Sequence, residues 1–163
     1  MKALIIYYSL NGNTDWAAHY LAERIPADLF RLEPDWEPPK SGFFKFMKGG
    51  QAAIRGKKVT LKAIPDPSAY DAILLAGPVW AKTCPPALNT YLSEHEGDLA
   101  GKNLLLVSSS SGGDGRGFFR RIMTLLPSCP IATTVSLRNP LQRQEESARQ
   151  LDGLIQVLNP SND

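Results

Sequence analysis

Cysteine, histidine and long apolar runs are scarce in this sequence, and each scarcity closes off a class of protein. Of its 163 residues only two are cysteines, Cys84 and Cys129. Each precedes a proline and they form no Cys-x-x-Cys pair, so neither a disulfide scaffold nor a thiol redox motif is expected. The two histidines, His19 and His95, stand at no metal-ligand spacing from another candidate, and no metal site is expected. No apolar run approaches the roughly 18 residues of a membrane-crossing helix. Ala3–Tyr8 is too short and too early for the core of a secretory signal, so the expectation is a cytoplasmic protein with reduced thiols and no membrane span. One-sided charge is missing as well. Eighteen Lys and Arg against sixteen Asp and Glu leave a net charge of +2, too mild to argue for a nucleic-acid partner. The densest basic group, Lys45, Lys48, Arg55, Lys57 and Lys58, reads as a solvated face. Absent too are the Gly-x-Gly-x-x-Gly pattern of dinucleotide sites and the Gly-Lys-Ser/Thr of nucleoside-triphosphate loops.

What remains is an ordinary globular composition, 43% hydrophobic and 21% charged, long enough for one domain with a sizeable core. Strand and helix patterns alternate along it. Lys2–Tyr8, Asp28–Leu32, Ala72–Ala76, Asn103–Ser108 and Ile131–Leu137 read as strands. Thr14–Ile25, Pro86–His95, Gly117–Leu126 and Gln142–Leu158 read as helices, the last with Ala148, Leu151, Leu154, Ile155 and Leu158 on one face. Strands apolar throughout need cover on both faces, so the alternation implies an α/β fold: a parallel sheet, helices on both sides and right-handed crossovers. One segment breaks the rhythm. Residues 34–67 carry prolines at 34, 38, 39, 65 and 67 around a Ser41–Gly50 stretch, which predicts a long excursion holding a single irregular helix. Its Phe43, Phe44 and Phe46 are read first as cover for the sheet and second as a lid over a substrate.

In such sheets ligands sit beyond the C-terminal ends of the strands, which directs attention to three loops. After the first strand, Ser9-Leu10-Asn11-Gly12-Asn13-Thr14 opens onto a helix. Free N–H groups and the positive end of the helix dipole make that junction an anion site, and the Ser, Asn and Thr side chains add donors without charge. A phosphate is the natural ligand; a capped turn with nothing bound is the plain alternative. After the third strand, Gly77-Pro78-Val79-Trp80-Ala81-Lys82 places a tryptophan on a proline-stiffened loop, suited to a planar aromatic ligand or to capping the edge of the core. After the fourth, Ser108-Ser109-Ser110-Ser111-Gly112-Gly113 offers backbone amides to a polar ring edge, or is a flexible connector. Phosphate donors, an aromatic wall and a small polar loop at one sheet edge together describe a site for a mononucleotide with a flat ring.

With those loops in hand the sequence resembles the flavodoxin-like family, whose members bind flavin mononucleotide (FMN). The first loop is similar to the family's phosphate loop, Ser/Thr-x-Thr-Gly-Asn-Thr. Tyr70-Asp71 followed by Gly77-Pro78-Val79-Trp80 and Pro85-Pro86-Ala87-Leu88 resembles the next signature, and Ser110–Gly113 the third flavin loop. The resemblance runs in order over nearly the whole chain and implies a five-stranded sheet of order 2-1-3-4-5. It implies that Ser9, Asn11, Gly12, Asn13 and Thr14 hold the phosphate. Pro78, Val79, Trp80, Ala81 and Lys82 would flank the isoalloxazine, and Ser109, Ser110, Ser111, Gly112 and Gly113 would meet its pyrimidine edge or its other face. Two residues depart from the pattern. Asn11 replaces a hydroxyl residue, and Lys82 stands where a glycine is common, either facing solvent or placing positive charge near the ring.

The function so implied is an FMN-dependent redox protein that exchanges electrons with a partner protein or reduces a small-molecule acceptor. NAD(P)H is a candidate donor, although no residue reads as a nicotinamide anchor. The alternative is a flavin-free or flavin-sensing binding module on the same fold. A hydrolase built on Ser9 or Cys84 lacks a histidine base placed to activate it, and a phospho-receiver lacks paired aspartates after the first strand.

Overall fold

Five strands, β1 (Ala3–Tyr7), β2 (Ala27–Arg31), β3 (Ala72–Pro78), β4 (Asn103–Ser110) and β5 (Ile131–Arg138), make the centre of the computed structural model, which describes residues 2–158. They pair in parallel in the order β2-β1-β3-β4-β5. Around the sheet lie α1 (Asn13–Ala22), α2 (Phe43–Ile54), α3 (Pro86–Glu94), the short α4 (Glu96–Leu99), α5 (Arg116–Leu125) and α6 (Gln144–Leu158). No helix among the described residues is long and apolar enough to cross a membrane.

The continuous apolar strands arise because both sheet faces are covered. Side chains alternate along β1, so Leu4, Ile6 and then Tyr8 meet Leu88 and Leu92 of α3 and Phe118 and Ile122 of α5. Ala3, Ile5 and Tyr7 point the other way, onto Ala17, Ala18 and Leu21 of α1 and Leu151 and Leu154 of α6. The edge strand β5, covered less fully, alternates between partly buried and exposed positions over Ile131–Thr134. The chain leaves β1 toward β2 on one side and returns to β3 on the other. That reversal opens a crevice above β1 and β3.

Element boundaries differ from the sequence expectation where long-range pairing outweighs local pattern. β4 continues through the polar Ser109 and Ser110, because Gly77 pairs with Ser108 and Pro78 with Ser109 in the ladder. Both Ser108 and Ser109 are buried. α1 stops three residues before Ile25, whose amide bonds back to the Leu21 carbonyl ahead of Pro26.

The excursion between β2 and β3 holds the one expected helix, α2, and is closed at its base by an antiparallel bridge between Pro34 and Leu61. Its phenylalanines do not cover the sheet. Phe43, Phe44 and Phe46 are 75%, 58% and 72% exposed. The buried positions of α2 are Gly49, Ala52 and Ala53. At Gly49 the helix packs against Pro38 and the Trp80 ring, with room for no more than a methyl group in ordinary contact. With small residues inward, the large ones turn outward.

Candidate functional site

Three loops at the C-terminal strand ends, with α2 beside them, enclose a cavity of about 400 Å³. The first is pinned from below and behind. Arg31, at the end of β2, donates to the Ser9 carbonyl at 2.9 Å and reaches Asp15 at 3.4 Å. Tyr7 donates to the same carboxylate at 2.7 Å, and burial followed by this bond pushes its phenol above the ordinary tyrosine range. Gly12 has φ 90, which a side chain would strain, and its amide donates to Ser9 Oγ at 3.1 Å. No side chain caps α1, so its first-turn amides remain available to a ligand. The Leu141 amide donates to Asn13 Oδ1, tying this loop to the segment after β5.

The loop after β3 is a two-residue hairpin. Trp80 and Thr83 exchange backbone hydrogen bonds of 3.0 Å each, while Ala81 and Lys82 both take positive φ, 48 and 64. That conformation suits Asn-Gly and is strained for Ala-Lys. It is held from outside by α5, where the Lys82 carbonyl oxygen fills the space that a side chain on Gly117 would need. Trp80 stands edge-on to Tyr8, ring centres 5.6 Å apart. Burial, with the Glu37 carboxylate beside it, pushes the Tyr8 phenol upward.

The loop after β4 joins the other two. Ser109 Oγ lies 2.8 Å from Thr14 Oγ1, and the Ser109 carbonyl accepts the Val79 amide at 2.9 Å. Gly113 donates to Ser110 Oγ, and Arg138 Nε donates to the Ser111 carbonyl.

Of the residues singled out in the sequence, Ser9, Asn11, Asn13 and Thr14 line the cavity, as do Pro78, Val79, Trp80, Ala81, Ser109, Ser110 and Ser111. Gly12, Lys82, Gly112 and Gly113 are not among its lining residues. Leu10, Lys45, Gly49, Gly50 and Asn139 line it without having been anticipated, and Phe46, one of the three phenylalanines read second as a lid, lines it as well. Asn139 had a signal: Asn139-Pro140 punctuates the end of the fifth strand pattern, and Asn139 takes positive φ. Lys45 had none beyond lying in the excursion. Among the described residues Lys45 is the only charged side chain in the lining, which includes no Asp or Glu. The cavity therefore suits an anion at the α1 end and a flat ring against Trp80.

Other chemistry is poorly supported. Cys84 is buried outside the cavity with its thiol pushed up to about 12 by desolvation. No cluster of three or more potential metal ligands occurs among the described residues.

Residues 2–139 match a family model described as Flavodoxin. The chain belongs to the flavodoxin family. Solved structures resemble this flavodoxin over most of its length. The flavoprotein of Lactobacillus acidophilus NCFM in complex with FMN is 19% identical, with a TM-score of 0.69 over 88% of this chain and 97% of that one. The apo form of the flavoprotein from the same organism is 18% identical, with a TM-score of 0.58 over 87% and 95%. Two-electron reduced flavodoxin of Megasphaera elsdenii is 18% identical, with a TM-score of 0.54 over 91% and 94%. At these identities the likeness speaks for the fold and leaves the site to be argued from its own residues. Among curated proteins none matches this flavodoxin.

Proposed function

We propose that this flavodoxin binds FMN in the cavity and exchanges electrons through it with a partner protein or a small-molecule acceptor. The observation that carries the reading is the donor set. Hydroxyl and amide side chains converge with an uncapped helix N-terminus at one end of a cavity whose lining contains no carboxylate. A phosphate monoester fits that end through Ser9, Asn11, Asn13 and Thr14. Gly12, outside the lining, contributes by shaping the loop through its positive φ and its bond to Ser9 Oγ. Trp80 offers an aromatic wall, and Ser109, Ser110 and Ser111 offer hydroxyls and amides to the polar edge of a ring. The volume of about 400 Å³ lies within the range of small-ligand sites. The bound flavin would supply the redox chemistry; the chain's part is to hold it, orient it and set its electrostatics.

Within that part, Lys45 sets the sign of the field. A cation at the cavity wall favours whichever state of the cofactor carries more negative charge. The hairpin carrying Trp80 is braced on α5 and keeps the ring wall fixed. Electron delivery by NAD(P)H and reduction of a small acceptor suit a mildly basic protein better than steering toward basic carrier partners. The reading places the protein in the cytoplasm, where the two buried, unpaired cysteines remain reduced.

The test is a visible absorption spectrum of purified protein after mixing with FMN and desalting. Flavin bands that survive desalting are the expected result, and anaerobic NADPH addition then separates a reductase from a carrier. A colourless protein would overturn the reading.

A further inference from the structure

We propose that the outward face of α2 docks this protein onto the surface of an anionic lipid bilayer. An ordinary surface helix turns its apolar stripe to the core. Here the inward positions are Gly49, Ala52 and Ala53, while Phe43, Met47 and Ile54, related by steps of four and seven residues, share the opposite face. Phe43 and Ile54 are 75% and 72% exposed, and Phe44 and Phe46 protrude beside them. The neighbouring cations, which the sequence alone assigns to a solvated face, lie along a stripe of large, exposed apolar side chains.

Charge identifies the occupant. Between Glu37 and Asp66 the chain carries Lys40, Lys45, Lys48, Arg55, Lys57, Lys58 and Lys62 and no Asp or Glu. Lys58 and Lys62 pair with Glu94 and Glu33. Lys48 and Arg55, exposed on one flank of the stripe, have no carboxylate in salt-bridge reach among the described residues. A second copy docking by this same face would bring the same cations against these and repel them. An anionic surface is the complement. The apolar groups stand well out of the helix surface, Phe43 and Phe44 edge to face with ring centres 6.2 Å apart. Such a shape inserts readily into the fluid headgroup layer, whereas a folded protein would need a matching pocket for each. Lysines flanking buried aromatic and aliphatic side chains then reach the lipid phosphates. Docking of this kind needs no flavin. The same helix walls the cavity with Lys45 and Phe46, so the bilayer would lie beside the cavity's α2 wall.

The full chain is to be sedimented with vesicles of phosphatidylcholine alone and with vesicles about one-third phosphatidylglycerol, in low salt and in about 1 M NaCl, where the screening length falls to ~3 Å. Binding to the anionic vesicles only, lost in high salt, is expected. Phe43→Gln with Ile54→Gln should weaken it by at least roughly tenfold, as should Lys48→Glu with Arg55→Glu. All four residues are exposed and outside the cavity, so circular dichroism and FMN uptake of both variants should match the parent. No binding to anionic vesicles, equal binding to neutral ones, or indifference to Phe43→Gln/Ile54→Gln overturns the proposal. Lipid-free self-association abolished by that pair would assign the face to a second copy instead. Binding to poly-glutamate as tight as to vesicles, and lost with the same pair, would assign it to an acidic protein. Either result overturns the bilayer.

Discussion

α1 and α2 border the same cavity and are built on opposite plans. α1 buries Ala17, Ala18 and Leu21 against the sheet, and its N-terminus is an extension of β1, braced by Arg31, Tyr7 and Thr14. α2 touches the rest of the molecule through glycine and alanine and keeps its large side chains outside. Burying a large aliphatic or aromatic side chain contributes about 1.5–3 kcal/mol and an alanine far less, so α2 is the more weakly held wall. The cavity thus has a fixed end at the N-terminus of α1, where the proposed phosphate would sit, and a second wall applied from outside. The fixed end should govern whether the ligand binds, and the applied wall should tune what it does.

Substitution at the fixed end should give the largest effects. Gly12→Asp forces a side chain into φ 90 against Leu141 and sets a carboxylate beside the anion site. FMN affinity is expected to fall by at least about a hundredfold. A fluorescence titration with unchanged affinity would dissolve the distinction between the two ends. Trp80→Ala comes next. It removes the aromatic wall that rests on Tyr8 and Gly49, and should weaken FMN roughly tenfold while brightening flavin emission. No spectral change would leave Trp80 as core-edge packing.

Smaller effects should mark the applied wall. Lys45→Gln removes the only charge in the lining, so the two-electron potential should drop by roughly 30 mV, equivalent to about 1.4 kcal/mol. An unmoved potential in spectroelectrochemistry would show that the α2 wall does not tune the cofactor. Lys82→Gly is the contrasting case. Lys82 is outside the lining, so the potential should stay while relief of its positive φ raises stability by about 1 kcal/mol in urea unfolding of the apoprotein. A potential shift with Lys82→Gly and none with Lys45→Gln would exchange their roles.

Much of this arrangement was legible before any coordinates. Ile5-Ile6-Tyr7 and Leu104-Leu105-Leu106 read as strands because burial on both faces removes the usual alternation. The Ser9–Thr14 loop read as an anion site because strand, small polar loop and helix are contiguous in sequence. Three features were not legible. Ser109 and Ser110 look like loop but extend β4, since a ladder with Pro78 and the Thr14 hydroxyl holds them from afar. Asn139-Pro140 marks the end of β5 in the sequence, but that Asn139 stands at the cavity follows only from strand order, which sets β5 beside β4. The phenylalanines of α2 look like core and are not.

The sequence by itself determined the α/β alternation, the parallel sheet and the three loops that converge on its C-terminal edge, because apolar runs and turn residues act within a few positions of chain. Tertiary structure decided the rotation of α2, the choice of Lys45 over Lys82 as the cavity's cation, and the link between Thr14 and Ser109. Those depend on packing between segments remote in sequence, such as α2 against Trp80 and Gly117 against the Lys82 carbonyl, and no local pattern encodes which side chain then faces inward.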